Sequence, residues 1–223
     1  LLLTQEGDYV SAVTATGEAL RAGADPGLPR RITMAMGPRM KTLPPAQRES
    51  ILQEFGRTPI DALDVSGWRV ASLAPLQKLR LKELKVAYGQ IDSLAPLTGM
   101  PLESLYCPHN RITDVKPLRG MPLQQLDINS NRLADIAPLR DLPLQQLNVS
   151  DNRITDLSPV TGLPLRRLSC SNNPLRRLPA AAGMTNLRQL YCENSGLRSL
   201  APLRGARLTN LGCSNNPVQS LAP

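Results

Sequence analysis

Four cysteines and one histidine are the residues whose types most readily suggest catalysis or metal binding, and their arrangement argues against both. Cys107, Cys170, Cys192 and Cys213 show none of the CxxC spacing that zinc sites use. His109 is the only histidine, so neither a two-histidine metal site nor a nucleophile helped by a second imidazole can be assembled. No glycine-rich phosphate loop occurs. The expectation is a chain with no catalytic residues, no metal and no cofactor, whose chemistry is that of a binding surface.

What positions these residues is a repeat. Eight copies of LxxLxLxxNxL, or a close variant, begin at Ile60, Leu81, Leu102, Leu123, Leu144, Leu165, Leu187 and Leu208, spaced by 21 residues with one step of 22. The clearest copy reads LQQLDINSNRL, from Leu123 to Leu133. A constant short period means stacked units. Leu126 and Ile128 alternate with Gln125, Asp127 and Asn129, which predicts a short strand in each unit, apolar side inward. All four cysteines fall at the inward sixth position, held elsewhere by Val65, Val86, Ile128 and Val149, and are expected to be reduced core residues. Buried free thiols suit a reducing compartment, so the cytoplasm is expected. Asn110, Asn131, Asn152, Asn173 and Asn216 fall at the ninth position, where the chain leaves the sheet, and an amide can both donate to and accept from backbone left unpaired there. This structural asparagine ladder is the second expectation.

The return path carries Pro96, Pro117, Pro138, Pro159 and Pro202 at one point of the cycle. Proline fixes φ and removes a donor, so a 3₁₀ turn or extended arc is expected there, not a long helix. The run NRITDLSPVTGLPL, Asn152 to Leu165, resembles the short leucine-rich repeats of bacterial internalins and of eukaryotic phosphatase-regulating proteins. GMPLESLYC (Gly99 to Cys107) and GLPLRRLSC (Gly162 to Cys170) resemble repeats of large planctomycete-like bacterial proteins, often joined to a Ser/Thr kinase domain. The resemblance covers residues 60 to 223. It implies an α/β leucine-rich-repeat solenoid: a parallel concave sheet of about eight strands, a 3₁₀ or extended convex arc, and a small helical N-terminal region. The kinase association is family context only, because no HRD, DFG or VAIK stretch occurs.

Residues 1–57 lie outside the repeat and are expected to form a helical N-terminal region or cap, with residues 58–223 as the repeat domain, its last unit incomplete. One helix is expected within Gln5 to Ala22. A second should follow Pro44 and Pro45 and stop near Gly56, with Ile51, Leu52 and Phe55 covering the first strand's edge. Trp68 replaces the ladder asparagine in the first unit and would suit that cap. With 41% apolar residues and no long apolar run, a membrane span is not expected. The lack of an initiating Met and the ending at LAP lead to the expectation of a longer parent chain with more repeats or another domain.

Function is then expected from outward columns. The fifth position runs through Asp64, Lys85, Tyr106, Asp127, Asn148, Ser169, Tyr191 and Gly212, and the eighth through Gly67, Tyr88, His109, Ser130, Asp151, Asn172, Asn194 and Asn215. Tyr88, Tyr106 and His109 fall on neighbouring units and are expected to form one aromatic patch. From Pro164 onward eight arginines face one acid, Glu193, within a net charge of +8; of these Arg166, Arg167 and Arg188 are expected on the concave side. Such a field favours an acidic partner. The concave candidates are therefore Lys85, Tyr88, Tyr106, His109, Asp127, Asp151, Arg166, Arg167, Arg188 and Tyr191, engaging a protein partner. A regulatory or structural arm of a multidomain bacterial kinase or other enzyme is the alternative. Nucleic acid or another acidic ligand at the arginine-rich end is the weaker one, because that end lacks interleaved aromatics.

Overall fold

In the computed structural model, residues 12, 13, 15, 18, 40, 42–57 and 60–219 are described. Each repeat supplies one three-residue strand: β1 Ala62–Asp64, β2 Glu83–Lys85, β3 Ser104–Tyr106, β4 Gln125–Asp127, β5 Gln146–Asn148, β6 Arg167–Ser169, β7 Gln189–Tyr191 and β8 Asn210–Gly212. The eight lie in chain order in one parallel sheet. Register is fixed by the repeat itself: Leu84, Leu105, Leu126 and Leu147 pair in a row, so each fourth-position leucine stacks on the next. The central strand residue is buried in β1 to β7 and its neighbours are more exposed, with Ser169 the exception. A one-residue slip would turn this row out to solvent, which is why the register is unique.

The return arcs contain the 3₁₀ turns Ala74–Leu76, Ala95–Leu97, Lys116–Leu118, Ala137–Leu139, Ser158–Val160 and Ala201–Leu203, each with its proline in the first positions. Two residues before each turn a short polar side chain accepts its first amide. Ser72, Ser93 and Ser199 do so through Oγ and Asp114, Asp135 and Asp156 through Oδ1, at 2.8 to 3.2 Å. This row of local caps follows from the ability of Ser and Asp to imitate a backbone turn. Hydrogen bonds from Ser158 hold the Asp156 carboxyl below its ordinary range. Its folded-state pKa is thus below the unfolded one, so this contribution is present at neutral pH and is lost as pH falls through the carboxylate range. The sixth unit departs from the rule. Arg177 stands at the capping position, the turn is Ala181–Gly183 without proline, and the extra residue of the 22-residue step is absorbed on this arc.

The core is a continuous column between sheet and arcs. In the fourth unit Leu123, Leu126, Ile128, Leu133, Ile136, Leu139 and Leu142 are all at most 2% exposed. Each such side chain is worth about 1.5–3 kcal/mol on burial, and the shelter comes from the units on either side. The first unit has no earlier neighbour, and α1 (Pro45–Phe55) takes that place. Ile51, Leu52, Phe55 and Trp68 are essentially inaccessible, and the rings of Phe55 and Trp68 meet at 5.9 Å and 55°. Arg48 Nη1 donates to the Trp68 carbonyl at 2.9 Å. At Gly56 the chain passes so near the Pro75 carbonyl that a Cβ would lie 2.1 Å from its oxygen, so glycine is required for α1 to seat on the first arc. Ala12, Val13, Ala15 and Glu18 are helical, with Val13 in the core; the rest of the helix expected within Gln5 to Ala22 lies outside the described residues. Residues 220–223 also lie outside them. Among the described residues no helix is long and apolar enough to cross a membrane.

Candidate functional site

The ninth-position asparagines stitch the turn that leaves the sheet. Asn131 Nδ2 donates to the carbonyls of Cys107, Ile128 and Asn129 at 3.0 to 3.1 Å, and its Oδ1 accepts the Ile112 amide at 3.0 Å. Asn110, Asn152, Asn173 and Asn216 repeat the arrangement. In the seventh unit Ser195 takes the place with weaker contacts to Cys170 and Glu193 carbonyls, and Asn216 Oδ1 accepts both Ser195 and Leu197 amides. The ladder holds every outward side chain at a fixed interval along the sheet.

On the strands, the outward residues form two charge regimes. In the second unit cations are matched. Lys85 Nζ lies 2.9 Å from Glu83 and 5.2 Å from the centre of the Tyr106 ring, and Lys82 approaches Glu103 at 4.0 Å. Tyr106 donates its hydroxyl to Gln125. Asp127 accepts from the Asn129 backbone and side-chain amides and from Asn148 Nδ2, and is a tied-down member of the surface. A shallow depression of about 130 Å³ follows, lined by Tyr106, Gln125, Asp127, Gln146, Asn148 and Arg167. At the far end the regime changes: Arg166, Arg167 and Arg188 enter none of the ion pairs of the described residues. Arg167 instead lies 5.1 Å over the Tyr191 ring, and Arg188 reaches the carbonyls of Thr185 and Leu187. Ser171 donates its hydroxyl to Glu193, whose carboxylate sits against Gly212, where a Cβ would lie 2.0 Å from Oε1.

The eighth position, expected among the outward concave columns, lies past the end of each strand. Gly67, Tyr88, His109, Ser130, Asp151, Asn172, Asn194 and Asn215 all have positive φ, between 48° and 76°. They stand on the turn that leaves each strand, beside the sheet and not on it. Counting by twos from the inward fourth and sixth positions would turn the eighth inward; the left-handed residue breaks that alternation and turns its side chain out beyond the strand. Its residue types carried the signal, because Gly, Asn, Asp and Ser dominate it. Asp151, Asn172 and Asn194 link side chain to side chain at 2.8 and 2.9 Å. Tyr88 and His109 stack at 4.3 Å and 9°. Tyr106 does not join them: it lies on β3 and pairs with Lys85 and Gln125, so the expected three-residue patch is a pair.

The sixth-position thiols of Cys107, Cys170 and Cys192 are buried, while Cys213 is partly exposed; all four are free. Burial pushes the Cys107 and Cys170 thiols up, aided by the charge of Asp127 at the first, and moves Cys192 to about 12. Thiolate is the reactive form. In the native chain at mildly alkaline pH, Ellman's reagent is therefore expected to titrate Cys213 promptly and the other three only after denaturant is added. Prompt release of four equivalents would contradict the sixth-position packing.

A family model for leucine-rich repeats, in two copies, matches residues 165–205. No curated protein matches the chain. Among solved structures, the internalin InlF of Listeria monocytogenes is 26% identical with a TM-score of 0.56, over 72% of this chain and 56% of its own. Internalin C2 of the same organism is 21% identical with a TM-score of 0.60, over 91% of this chain and 92% of its own. The functional domain of InlJ from L. monocytogenes, which includes a cysteine ladder, is 18% identical with a TM-score of 0.50, over 77% of this chain and 47% of its own. This chain thus spans about half the length of two of these structures and nearly all of the third. Repeat pattern, register, arcs and these likenesses agree: the chain carries leucine-rich repeats and folds as a leucine-rich repeat solenoid.

Proposed function

We propose that this chain is a non-catalytic protein-binding module that engages its partner through the outer face of the sheet. Arg166, Arg167, Arg188 and Tyr191 receive an acidic segment, and Lys85, Tyr106 and Asp127 border the other end. The observation that supports this reading is the contrast along one surface. Lysines of the second unit already have carboxylates, whereas the three arginines of the sixth and seventh units enter no ion pair among the described residues. Packing and ladder bonds hold the backbone below, so these side chains are presented at little further ordering cost. Tyr191 offers a large rigid face beside Arg167, a pairing frequent in strong contact centres. The unpaired, buried thiols suit a reducing compartment, and we place the module in the cytoplasm on that ground.

Replacing Arg166 and Arg167 together with Glu is expected to weaken binding of the partner recovered on immobilised wild-type chain by about ten-fold or more. The salt dependence of binding should flatten at the same time. Titration calorimetry with the purified partner at low and physiological salt reads both. Unchanged affinity and salt slope would move the contact off this face.

A further inference from the structure

We propose that a notch on the turn flank of the first three units, walled by Tyr88 and His109, binds an aromatic side chain carried next to a carboxylate on the partner protein. This rests on the reading of the chain as a protein-binding module, and it adds a second contact away from the sheet face.

The eighth column is where the backbone is left-handed, a conformation that Gly, Asn, Asp and Ser tolerate and that is costly for a bulky ring. His109 also suits it, because histidine is enriched at positive φ with Asn and Asp. Tyr88 is the residue of the column that departs from the preference, and it is 61% exposed. A tyrosine that is both strained and solvent-facing contributes little to the fold, and strain of this kind gathers at binding sites. The two rings lie nearly parallel at 4.3 Å, one behind the other, so the stack offers a flat outer ring face. Such a face accepts a third planar group by the same stacking.

The rest of the notch supplies charge and room. It is an open space of about 500 Å³ bounded by Gly67, Arg69, Tyr88, Gly89, His109 and Arg111. At the tenth position the first and third units place Arg69 and Arg111, whereas the second places the uncharged Gln90 between them. Two units apart means about 10 Å, so both guanidiniums reach an anion held between them. Neither enters an ion pair of the described residues. Arg69 is itself left-handed at φ 54°, and Gly89, at the ladder position, sits so close to the units on either side that a Cβ would lie 2.6 Å from Asn110 Oδ1 and 2.9 Å from the Val70 carbonyl oxygen. The lining of the notch thus carries the two positive charges of Arg69 and Arg111 and no acid, which complements carboxylates beside the aromatic side chain.

The same flank disfavours a polyanion. Asp114, Asp135 and Asp156 follow Arg111, Arg132 and Arg153 by three residues each, so a phosphate chain running along the units would meet a carboxylate on each of those three. A short segment entering at the first three units avoids the last two of these acids.

The test uses the ring Cε1–H resonance of His109, the sole histidine and half of the wall. The probe is the acetylated, amidated tripeptide Glu-Trp-Glu. Controls are the Glu-Ala-Glu peptide and inorganic tripolyphosphate. The wild-type chain should show a saturable shift with the tryptophan peptide and with neither control. Tyr88→Asn, which places the column's own residue type there, should keep the circular dichroism spectrum and the thermal midpoint while weakening the peptide by about ten-fold or more. Arg69→Gln and Arg111→Gln should each weaken it and reduce its salt dependence. A chain with Arg166 and Arg167 changed to Glu should keep the full response, so failure of the sheet-face reading leaves this one standing. Absence of a saturable shift, a Tyr88→Asn chain that binds as well as wild type, or a response to tripolyphosphate equal to that of the peptide would each overturn the proposal.

Discussion

Asn152→Ala is expected to destabilise the chain by about 3–5 kcal/mol, because one buried side chain serves four backbone groups. Asn152 Nδ2 donates to the carbonyls of Ile128, Val149 and Ser150 at 3.0 to 3.1 Å, and Oδ1 accepts the Leu133 amide at 2.9 Å. Alanine leaves that donor and those acceptors without their partner in a region only 8% exposed at residue 152. An unpaired buried group costs about 1–3 kcal/mol, and more than one is orphaned here. Asn152→Asp should be no better at neutral pH, since it keeps the acceptor but points a second oxygen at three carbonyls. Asn172→Ala supplies the contrast. That residue also makes hydrogen bonds to neighbouring units, yet it is exposed, so its loss should cost only about 1–2 kcal/mol, most of it from placing alanine in the left-handed backbone at φ 56°. Urea unfolding followed by circular dichroism measures all three. A loss below about 1 kcal/mol for Asn152→Ala would mean that water replaces the amide, and that the ladder is not what holds the turns.

Trp68→Ala should be of similar size, about 3–5 kcal/mol, for a different reason: it removes the largest buried side chain at the seam between α1 and the first unit. The cavity opens beside Phe55, and Arg48 loses the fixed geometry of its bond to the Trp68 carbonyl. Stacked units draw stability from their neighbours, so the damage should stay near one end. Hydrogen exchange should show the amides of Val65, Gly67 and Lys82 losing protection, while those of Ile128, Val149 and Arg153 keep it. Uniform loss across the sheet would show that the array unfolds as one unit and that α1 does more than cover an edge.

Much of this was legible from the sequence because the period repeats each clue eight times. Leu126 inward and Asp127 outward, the ladder at Asn131 and Asn152, the proline arcs and the cap at Trp68 all follow from spacing and residue type. Three features were not read. The left-handed eighth column was grouped with the outward strand positions, although its Gly, Asn, Asp and Ser content is the usual sign of positive φ. The capping row from Ser72 to Ser199 needs coordinates to show that the side chain bonds two residues ahead. The separation of Tyr106 from the pair of Tyr88 and His109, and its place beside Lys85, depends on which way each chain segment turns, and composition carries no information about that.

The 22-residue step carries a wider lesson. Its added residue is taken up behind the sheet, where Gly183 approaches Thr161 and its carbonyl receives the Gly162 amide, while Arg167 still faces Gln189 across β6 and β7. Insertions at the back therefore leave the graduations at the front undisturbed. Such a scaffold can drift in length over generations and still offer its ligands the same ruler.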